Sequence, residues 1–291
     1  MAKFQGMKIN PTRYHRSQLK FYAILLPMAV FVSLPIIFIV SHAFKPSNEL
    51  FAYPPKFFVR MPTFKNFTDL FQLASESGIP FSKYLFNSVM VTGIGVFLSI
   101  LITGLAAYSL SKLKFKGKKL LFEINTLALM FVPIAVMIPR YITIAQLGLI
   151  DNYLVLILPL IAMPVGLFLV KQFIDQTPNE LIESAKIDGA SEMEIFIKII
   201  VPIILPALAT VGILSFQLIW NDVIGSTLYV NDESMKTLAF YFSTLAARTG
   251  NTVAGQGVLA AASLISFVPN LLIFIFFQGK VMNTMASSGI K

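Results

Sequence analysis

The sequence predicts an all-α membrane protein with six transmembrane helices. Of its 291 residues, 56% are hydrophobic and only 13% are charged, whereas globular proteins carry about 25% charged residues. The charged residues are clustered, and the apolar runs between them reach the roughly 20 residues that a helix needs to cross a bilayer. Disorder is excluded, because disordered chains are poor in apolar residues.

The six expected spans lie in the gaps between charged residues. Their approximate bounds are 21–43, 84–110, 120–141, 153–171, 200–221 and 255–278. A basic N-terminus followed by Ser41-His42-Ala43 resembles a cleaved signal peptide, but the apolar run is longer than the ~7–15 residues of a signal core. We therefore expect the first span to be retained.

Prolines in the later spans are expected to kink them or simply to aid their packing. They are Pro133 and Pro139 in span three, Pro159 and Pro164 in span four, and Pro206 in span five. Membrane helices tolerate proline because neighbouring groups can satisfy the freed backbone carbonyls.

The distribution of Lys and Arg predicts that both chain ends are cytoplasmic. Most of the 23 Lys and Arg residues fall on one alternating side of the spans, including the lysine-rich segment 112–119. Short cytoplasmic loops are enriched in these residues. We therefore expect cytoplasmic segments at 1–20 and 280–291, a transmembrane domain at 21–279, contact with membrane lipid, and no nucleic-acid partner.

The polar segment between spans four and five predicts two short helices joined at an angle; we call residues 177–202 the elbow. Thr177 and Glu180 are expected to form a capping box at the start of the first helix. Gly189 suits the left-handed conformation that ends a helix. Ser191 begins a second capping box, whose helix is expected to run to the next span.

The first elbow helix is acidic, with Glu180, Glu183 and Asp188. Helices that rest on a bilayer are usually rich in Lys and Arg, because inner leaflets are anionic. An acidic helix with small residues favours docking in a basic groove of a partner protein. The alternative is an amphipathic segment on the membrane surface.

The run from Glu183 to Gly189, followed by Pro202, resembles the EAA loop of ABC-importer permeases. The family pattern is Glu-Ala-Ala, three residues, Gly, nine residues and Ile-x-Leu-Pro. This chain departs from it at Ser184, which replaces an alanine, and at Val201, which replaces a leucine. Further segments resemble the carbohydrate-type permeases, namely Asn87-Ser88, 106–110, Trp220-Asn221-Asp222, Phe277-Gln278 and 288–291.

This resemblance implies a type I ABC importer permease of a bacterial inner membrane, related to the maltose-type second permease and carrying a sugar or oligosaccharide. Such a subunit would assemble with a second homologous permease, two ABC ATPase subunits and an extracytoplasmic solute-binding protein. No phosphate-binding loop occurs in the sequence, so the chain is not itself the ATPase. With 0 Cys and 2 His, we also expect no catalytic residues, cofactor or metal here. ATP and Mg would be bound by the ATPases. The alternatives are an importer for a non-sugar solute and a secondary transporter.

The resemblance also implies which elbow residues couple to the ATPase. They are Glu183, Ser184, Ala185, Asp188, Gly189 and Ala190. In this interpretation Glu183 faces a basic residue of the ATPase, Ala185 allows close approach and Gly189 makes the bend. Asp188 either joins the contact or caps the helix locally.

Aromatic and amide side chains near the span ends are candidates for a sugar path. They are Gln217, Trp220, Asn221, Tyr141, Asn152 and Tyr153, with Tyr108 considered beside them. Tyr and Trp also form belts at membrane interfaces, and Gln217 is equally suited to a hydrogen bond with another helix. Both interpretations are open from the sequence.

Overall fold

The computed structural model describes residues 18–76, 78–250 and 252–288, with side chains except at 254 and 280–288. This part of the chain is helical and contains no β-strand. In chain order its helices are α1 (Leu19–Ala43), α2 (Ser47–Leu50), α3 (Lys65–Glu76), α4 (Phe81–Lys112), α5 (Lys118–Ala128), α6 (Met137–Gln146), α7 (Leu158–Ile161), α8 (Pro164–Asp175), α9 (Glu180–Ile187), α10 (Glu192–Ile195), α11 (Val201–Trp220), α12 (Ile224–Tyr229), α13 (Leu238–Thr249) and α14 (Val253–Ser288).

The chain folds as two compact units. Of the residues that the structure describes, those up to Leu70 and those of Thr249–Leu264 form one unit. Those of Phe71–Arg248 and those from Ile265 onward form the other. All the candidate site residues belong to the second unit.

Four helices in the described part are long and apolar enough to cross a membrane. They are Leu19–Ala43, Phe81–Lys112, Glu192–Trp220 and Gly255–Gly279. The residue ranges of these helices overlap those of the first, second, fifth and sixth predicted spans. A fifth span is present if the bent pair Tyr153–Ile161 and Pro164–Asp175 counts as one.

The predicted third span, 120–141, is not one helix in the structure: it is broken near Pro133. In its place α5 ends at Ala128 and α6 begins at Met137. Pro133 lies in the break, where its ring and its missing N–H prevent helical hydrogen bonding. Each half has about half the length that a transmembrane helix needs.

The fourth predicted span is a helix in two pieces that meet at a bend of 44°. Pro164 is the first residue of α8, and the preceding Met163 is extended, with φ −112° and ψ 91°, as a residue before proline prefers. By contrast, Pro206 lies inside α11, which continues through it. Pro139 lies in the first turn of α6, where a missing N–H costs no helical bond.

The second elbow helix and α11 form one continuous helical segment, Glu192–Trp220. The second elbow helix is expected to run to Pro202, where the next span begins, and the structure shows no break between the two. A π turn at Phe196–Ile200 joins the two, and the Val201 N–H donates to the Phe196 carbonyl five residues back. This wider turn lies directly before Pro202, which has no N–H, and the helix continues past it.

A buried apolar cluster, the inner cluster, joins α4, α8, the elbow and α11. Its members are Ala107, Tyr108, Val170, Ile174, Ile182, Ala185, Ile195, Phe196, Ile200, Ile204, Ala207, Leu208 and Val211. Glycines bring these helices close together: a Cβ on Gly166 would lie 3.2 Å from the Val211 side chain. Small residues at such contacts are typical of packing between membrane helices.

In the other unit, polar side chains order the segment after α1. Asn66 Nδ2 donates to the carbonyls of Ala43 and Lys45, at 2.9 and 2.8 Å. The Glu49 carboxylate accepts the backbone N–H groups of Arg60 at 3.0 Å and Met61 at 2.8 Å. These donors, Arg60 foremost, hold the pKa of Glu49 below its usual range.

Candidate functional site

The elbow begins differently from the prediction. Thr177 does not cap the first helix, because α9 begins at Glu180, its N-cap is Asn179, and no side chain caps it. Lys112 Nζ donates to the Thr177 carbonyl at 2.7 Å and to Asn179 Oδ1 at 2.8 Å. This lysine of α4 fixes the backbone ahead of the helix, and Pro178 therefore lies outside the first turn.

The bend at Gly189 has the expected geometry. Its φ is 83°, in the left-handed region that glycine adopts at little cost. The Ala190 N–H donates to the Ala185 carbonyl at 2.9 Å, and the Gly189 N–H donates to the Lys186 carbonyl at 3.1 Å. This pair of bonds is a Schellman motif, which ends α9 and turns the chain sharply.

The second elbow helix starts with the capping box that the sequence predicts. The Glu194 N–H donates to Ser191 Oγ at 3.3 Å, and the Ser191 N–H donates to Glu194 Oε2 at 3.0 Å. Lys198 Nζ donates to the other oxygen of Glu194 at 2.9 Å. Both ends of the turn between the elbow helices are therefore fixed by local bonds.

One face of the elbow is packed against the chain's own core. Ile182, Ala185 and Ile195 are buried in the inner cluster, and Ala190 packs against it. Ala185 is only 9% exposed. The expectation that Ala185 allows a partner to approach is therefore wrong: its small side chain lets α9 pack closely on the inner cluster.

The opposite face of the elbow carries exposed acidic and apolar residues. Glu183, Ser184 and Asp188 are exposed there. Ile187 is 86% exposed and Leu181 is 44% exposed; sequence reasoning missed both. Ile187, an apolar side chain that is almost fully exposed beside acidic residues, makes this face the candidate contact surface. The sequence signal for Ile187 was its place between Lys186 and Asp188, with no large apolar residue one helical turn away. This pattern indicates an apolar side chain on an exposed face.

A polar network joins both elbow helices to α4. Tyr108 Oη donates to Glu192 Oε2 at 2.7 Å, and Lys186 Nζ lies 2.5 Å from Glu192 Oε1. Tyr108 therefore lies at the elbow. Lys186 from α9, Glu192 from α10 and Tyr108 from α4 are held as one assembly.

Three candidates for the sugar path hold the fold together. Trp220 is buried, and its Nε1 donates to the Ser266 carbonyl at 3.1 Å. Tyr153 donates to Asn87 Oδ1 at 3.0 Å. Asn152 Oδ1 accepts the Leu154 N–H at 2.9 Å and caps a short 3₁₀ turn.

The other three candidates are exposed at one end of the helices. Asn221 Nδ2 donates to the Gln217 backbone carbonyl at 2.8 Å. The side-chain oxygens of Asn221 and Gln217 take no part in that bond. Tyr141 is 43% exposed, and its ring centroid lies 6.1 Å from that of Tyr229. Tyr141, Gln217 and Asn221 are thus exposed, whereas Trp220, Tyr153 and Asn152 form hydrogen bonds that stabilise the fold.

A cleft of about 130 Å³ lies next to these residues. Its polar lining includes Arg140, Asp222 and Tyr229, and its apolar lining includes Pro133 and Leu218. Burial raises the pKa of Asp222, and the Gly225 N–H and the Arg140 charge oppose that shift. Arg140 and Asp222 were not among the sequence candidates, although each is a charge at the end of an apolar run.

The chain is similar to known transport proteins along most of its length. The family model described as "Binding-protein-dependent transport system inner membrane component" matches residues 95–279. A putative ABC transporter permease protein, ORF2, from Caldicellulosiruptor sp. is 31% identical, over 94% of this chain and 97% of that protein. The arabinooligosaccharides transport system permease protein AraQ from Halalkalibacterium halodurans is 30% identical, over 93% of this chain and 94% of that protein.

A solved structure has a similar fold. It is a chain of a bacterial ABC transporter involved in the import of the acidic polysaccharide alginate, with a TM-score of 0.77 and 23% sequence identity. The match covers 93% of this chain and 99% of that chain.

Proposed function

The chain belongs to the family of binding-protein-dependent transport system inner membrane components, and from that premise we propose that it is the permease subunit of an ATP-driven importer of a sugar or oligosaccharide. The similarity to an arabinooligosaccharide permease over nearly the whole of both chains supports this solute class. The permease would pair with a second homologous subunit and receive its solute from an extracytoplasmic binding protein. An importer for a non-sugar solute is the alternative.

The elbow is the proposed contact with one of the two ATPase subunits of the importer, which would bind the ATP and Mg. The observation that carries this proposal is Ile187, 86% exposed on a helix whose two ends are fixed. Glu183, Ser184 and Asp188 surround it with polar groups. Since an exposed ion pair contributes only ~0–1 kcal/mol, Glu183 would orient the contact, and Ile187 would supply most of the apolar burial.

The continuous segment Glu192–Trp220 suggests how force passes through the elbow. Because no break separates the second elbow helix from α11, a push on the elbow moves α11 as a lever. The Tyr108–Glu192–Lys186 network makes α4 and α9 follow. ATP-driven closure of the ATPases would thereby switch the bundle between inward-open and outward-open states.

The membrane arrangement follows from the same proposal. The third span would consist of the broken pair α5 and α6, and the fourth of the bent pair that ends in α8, giving six spans. The lysine-rich segment 112–119 and the elbow would face the cytoplasm, as would both termini. Tyr141, Gln217, Asn221, Arg140 and Asp222 would line the outer end of the solute path.

The test uses the importer purified from native membranes through a tag on this chain. We expect Ile187→Asp to abolish copurification of the ATPase and sugar-stimulated ATP hydrolysis, while the chain stays in the membrane. Leu147→Asp is the matched control, because Leu147 is 66% exposed in a loop on the proposed outer side. Normal ATPase retention by Ile187→Asp would contradict the proposal. Uptake of an amino acid or phosphate in place of sugars would favour the alternative solute class.

A further inference from the structure

A wide hollow lies where the lysine-rich segment meets α5 and α8. Its volume is about 740 Å³, within the ~300–1,000 Å³ range of ligand sites. The residues that matter here are Phe115, Lys118, Lys119, Phe122, Glu123 and Lys171. Three lysines and Glu123 line the hollow, and Asp175 pairs with Lys171 beside it, which leaves a net positive charge.

Two of the lysines are held in place by the chain itself. The Lys171 side chain is only 14% exposed, with Nζ 2.6 Å from Asp175 Oδ2 and 4.5 Å from the centroid of the Phe122 ring. Lys118 Nζ donates to the Ser111 and Leu113 carbonyls at 2.8 and 3.1 Å. A merely solvated loop would not order its lysines in this way.

The third lysine is free to reach a ligand. The Lys119 side chain is 92% exposed, and its Nζ lies 3.8 Å from Glu123 Oε1, too far for a strong hydrogen bond. Lys118 and Lys119 also begin α5, whose first N–H groups have no acceptor within the helix. Both features favour an anion at this point.

The hollow also has apolar neighbours. Phe115 is 41% exposed and Leu120 is 60% exposed, and both line it. Leu121 and Ile124 continue the exposed apolar surface along α5, at 52% and 53%. A ligand that satisfies both parts of the site needs an anionic head and apolar tails.

We propose that this hollow binds an anionic phospholipid, with the headgroup phosphate among Lys118, Lys119 and Lys171. The acyl chains lie along the exposed apolar side chains of α5. The bound lipid ties the start of α5 to α8, close to the point where Lys112 holds the elbow. This site does not depend on which solute the protein carries.

The experiment titrates the purified full-length chain, in its assembled complex in detergent, with phosphatidylglycerol and reads retained lipid by native mass spectrometry. We expect Lys118→Gln/Lys119→Gln to weaken phosphatidylglycerol binding about tenfold, because each lysine near an anionic headgroup contributes substantially. Lys114→Gln/Lys116→Gln removes the same charge from the same loop outside the hollow, and we expect less than about a twofold change.

The single variant Lys119→Gln is the control for misfolding, because the Lys119 side chain makes no close bond whose loss could disturb the fold. We expect it to weaken phosphatidylglycerol binding about threefold. Phosphatidylcholine, which has no net charge, should bind weakly to all variants. Equal losses in the two double variants, or equal binding of the two lipids, would overturn the site in favour of a general surface attraction.

Discussion

At position 189 the backbone is left-handed, with φ at 83°, and a Cβ added there would meet no atom within 4 Å. Steric crowding therefore does not select glycine; the backbone conformation does. A residue with a Cβ pays roughly 1–2 kcal/mol in this region, and the cost is larger for a β-branched residue. One residue thus decides whether α9 can turn sharply into the second elbow helix.

The loss of function caused by a substitution at Gly189 should increase as the new residue tolerates a left-handed backbone less well. We expect Gly189→Asn to be close to the parent, Gly189→Ala to lose about 1 kcal/mol of local stability, and Gly189→Val to uncouple sugar-stimulated ATP hydrolysis from uptake. The chain should stay in the membrane in each case. The control is Gly93→Ala, where a Cβ also meets nothing within 4 Å but the backbone is helical. Normal transport by Gly189→Val would contradict the assignment.

Asp151 is a second position where one residue links distant segments. It has φ of 57°, and its carboxylate accepts the Asn231 side-chain amide at 2.9 Å and the Asp232 N–H at 3.0 Å. The Asn231 amide is the main cause that lowers the pKa of Asp151 below its usual range. The loop before α7 is thereby joined to the loop after α12.

A lowered pKa predicts the pH dependence of this contact. Its stabilising effect is complete above the ordinary carboxyl pKa of about 3.9 and is lost as the pH falls through the lower pKa of the folded state. Asp151→Asn keeps a residue that tolerates the left-handed backbone but removes the charge. We expect it to lower Tm at pH 7, and the difference from the parent to narrow below about pH 4. A difference independent of pH would contradict this.

At the scale of elements, the elbow depends on contacts between helices that are far apart in the chain. Tyr108 in α4 and Glu192 in α10 are joined by a bond that spans 84 residues of sequence. The π turn keeps the second elbow helix continuous with α11. These two features together make the elbow a rigid extension of the membrane helices.

Removing the Tyr108 hydroxyl tests this rigidity. Tyr108→Phe deletes a hydrogen bond to a carboxylate, worth roughly 1.5–3 kcal/mol, without changing the packing of the ring. We expect less sugar transported for each ATP hydrolysed, with normal membrane insertion. Tyr153→Phe is the matched control, since it deletes a bond of 3.0 Å to Asn87 away from the elbow. If both variants transported the same amount of sugar for each ATP hydrolysed, the Tyr108–Glu192–Lys186 network would have no part in coupling.

At the scale of the whole molecule, the proposed arrangement has an inner side and an outer side. The lysine-rich segment and the elbow define the inner side. The loops that carry Leu147 and Glu233 define the outer side. The chain contains 0 cysteines, so single introduced cysteines can be mapped without background labelling.

Cysteine accessibility tests the orientation directly. We expect Lys116→Cys, and Ser184→Cys once the ATPase subunits have been stripped from the membrane, to react with an impermeant maleimide only in inside-out vesicles. Leu147→Cys and Glu233→Cys should react only in whole cells or right-side-out vesicles. All four positions are exposed, so a missing reaction reports the side of the membrane. Labelling of Ser184→Cys from outside would reverse the proposed topology and the role of the elbow.

The sequence by itself determined the features that depend on local chemistry. Long apolar runs predicted the four helices of the described residues that are long enough to cross a membrane, although three of them contain prolines. The turn at Gly189 and the capping box at Ser191 were readable because each is decided within one helical turn. The resemblance to importer permeases began with the same short segment and was extended by matches elsewhere, such as Trp220-Asn221-Asp222.

Only the tertiary structure decided which faces are buried and which side chains are free. Thr177 lost its predicted capping role because Lys112, from another helix, fixes the backbone before α9. Ala185 faces the inner cluster while Ile187 faces outward, and Trp220 and Tyr153 anchor helices through distant partners. These outcomes depend on residues far apart in the chain, whose approach local sequence patterns do not encode.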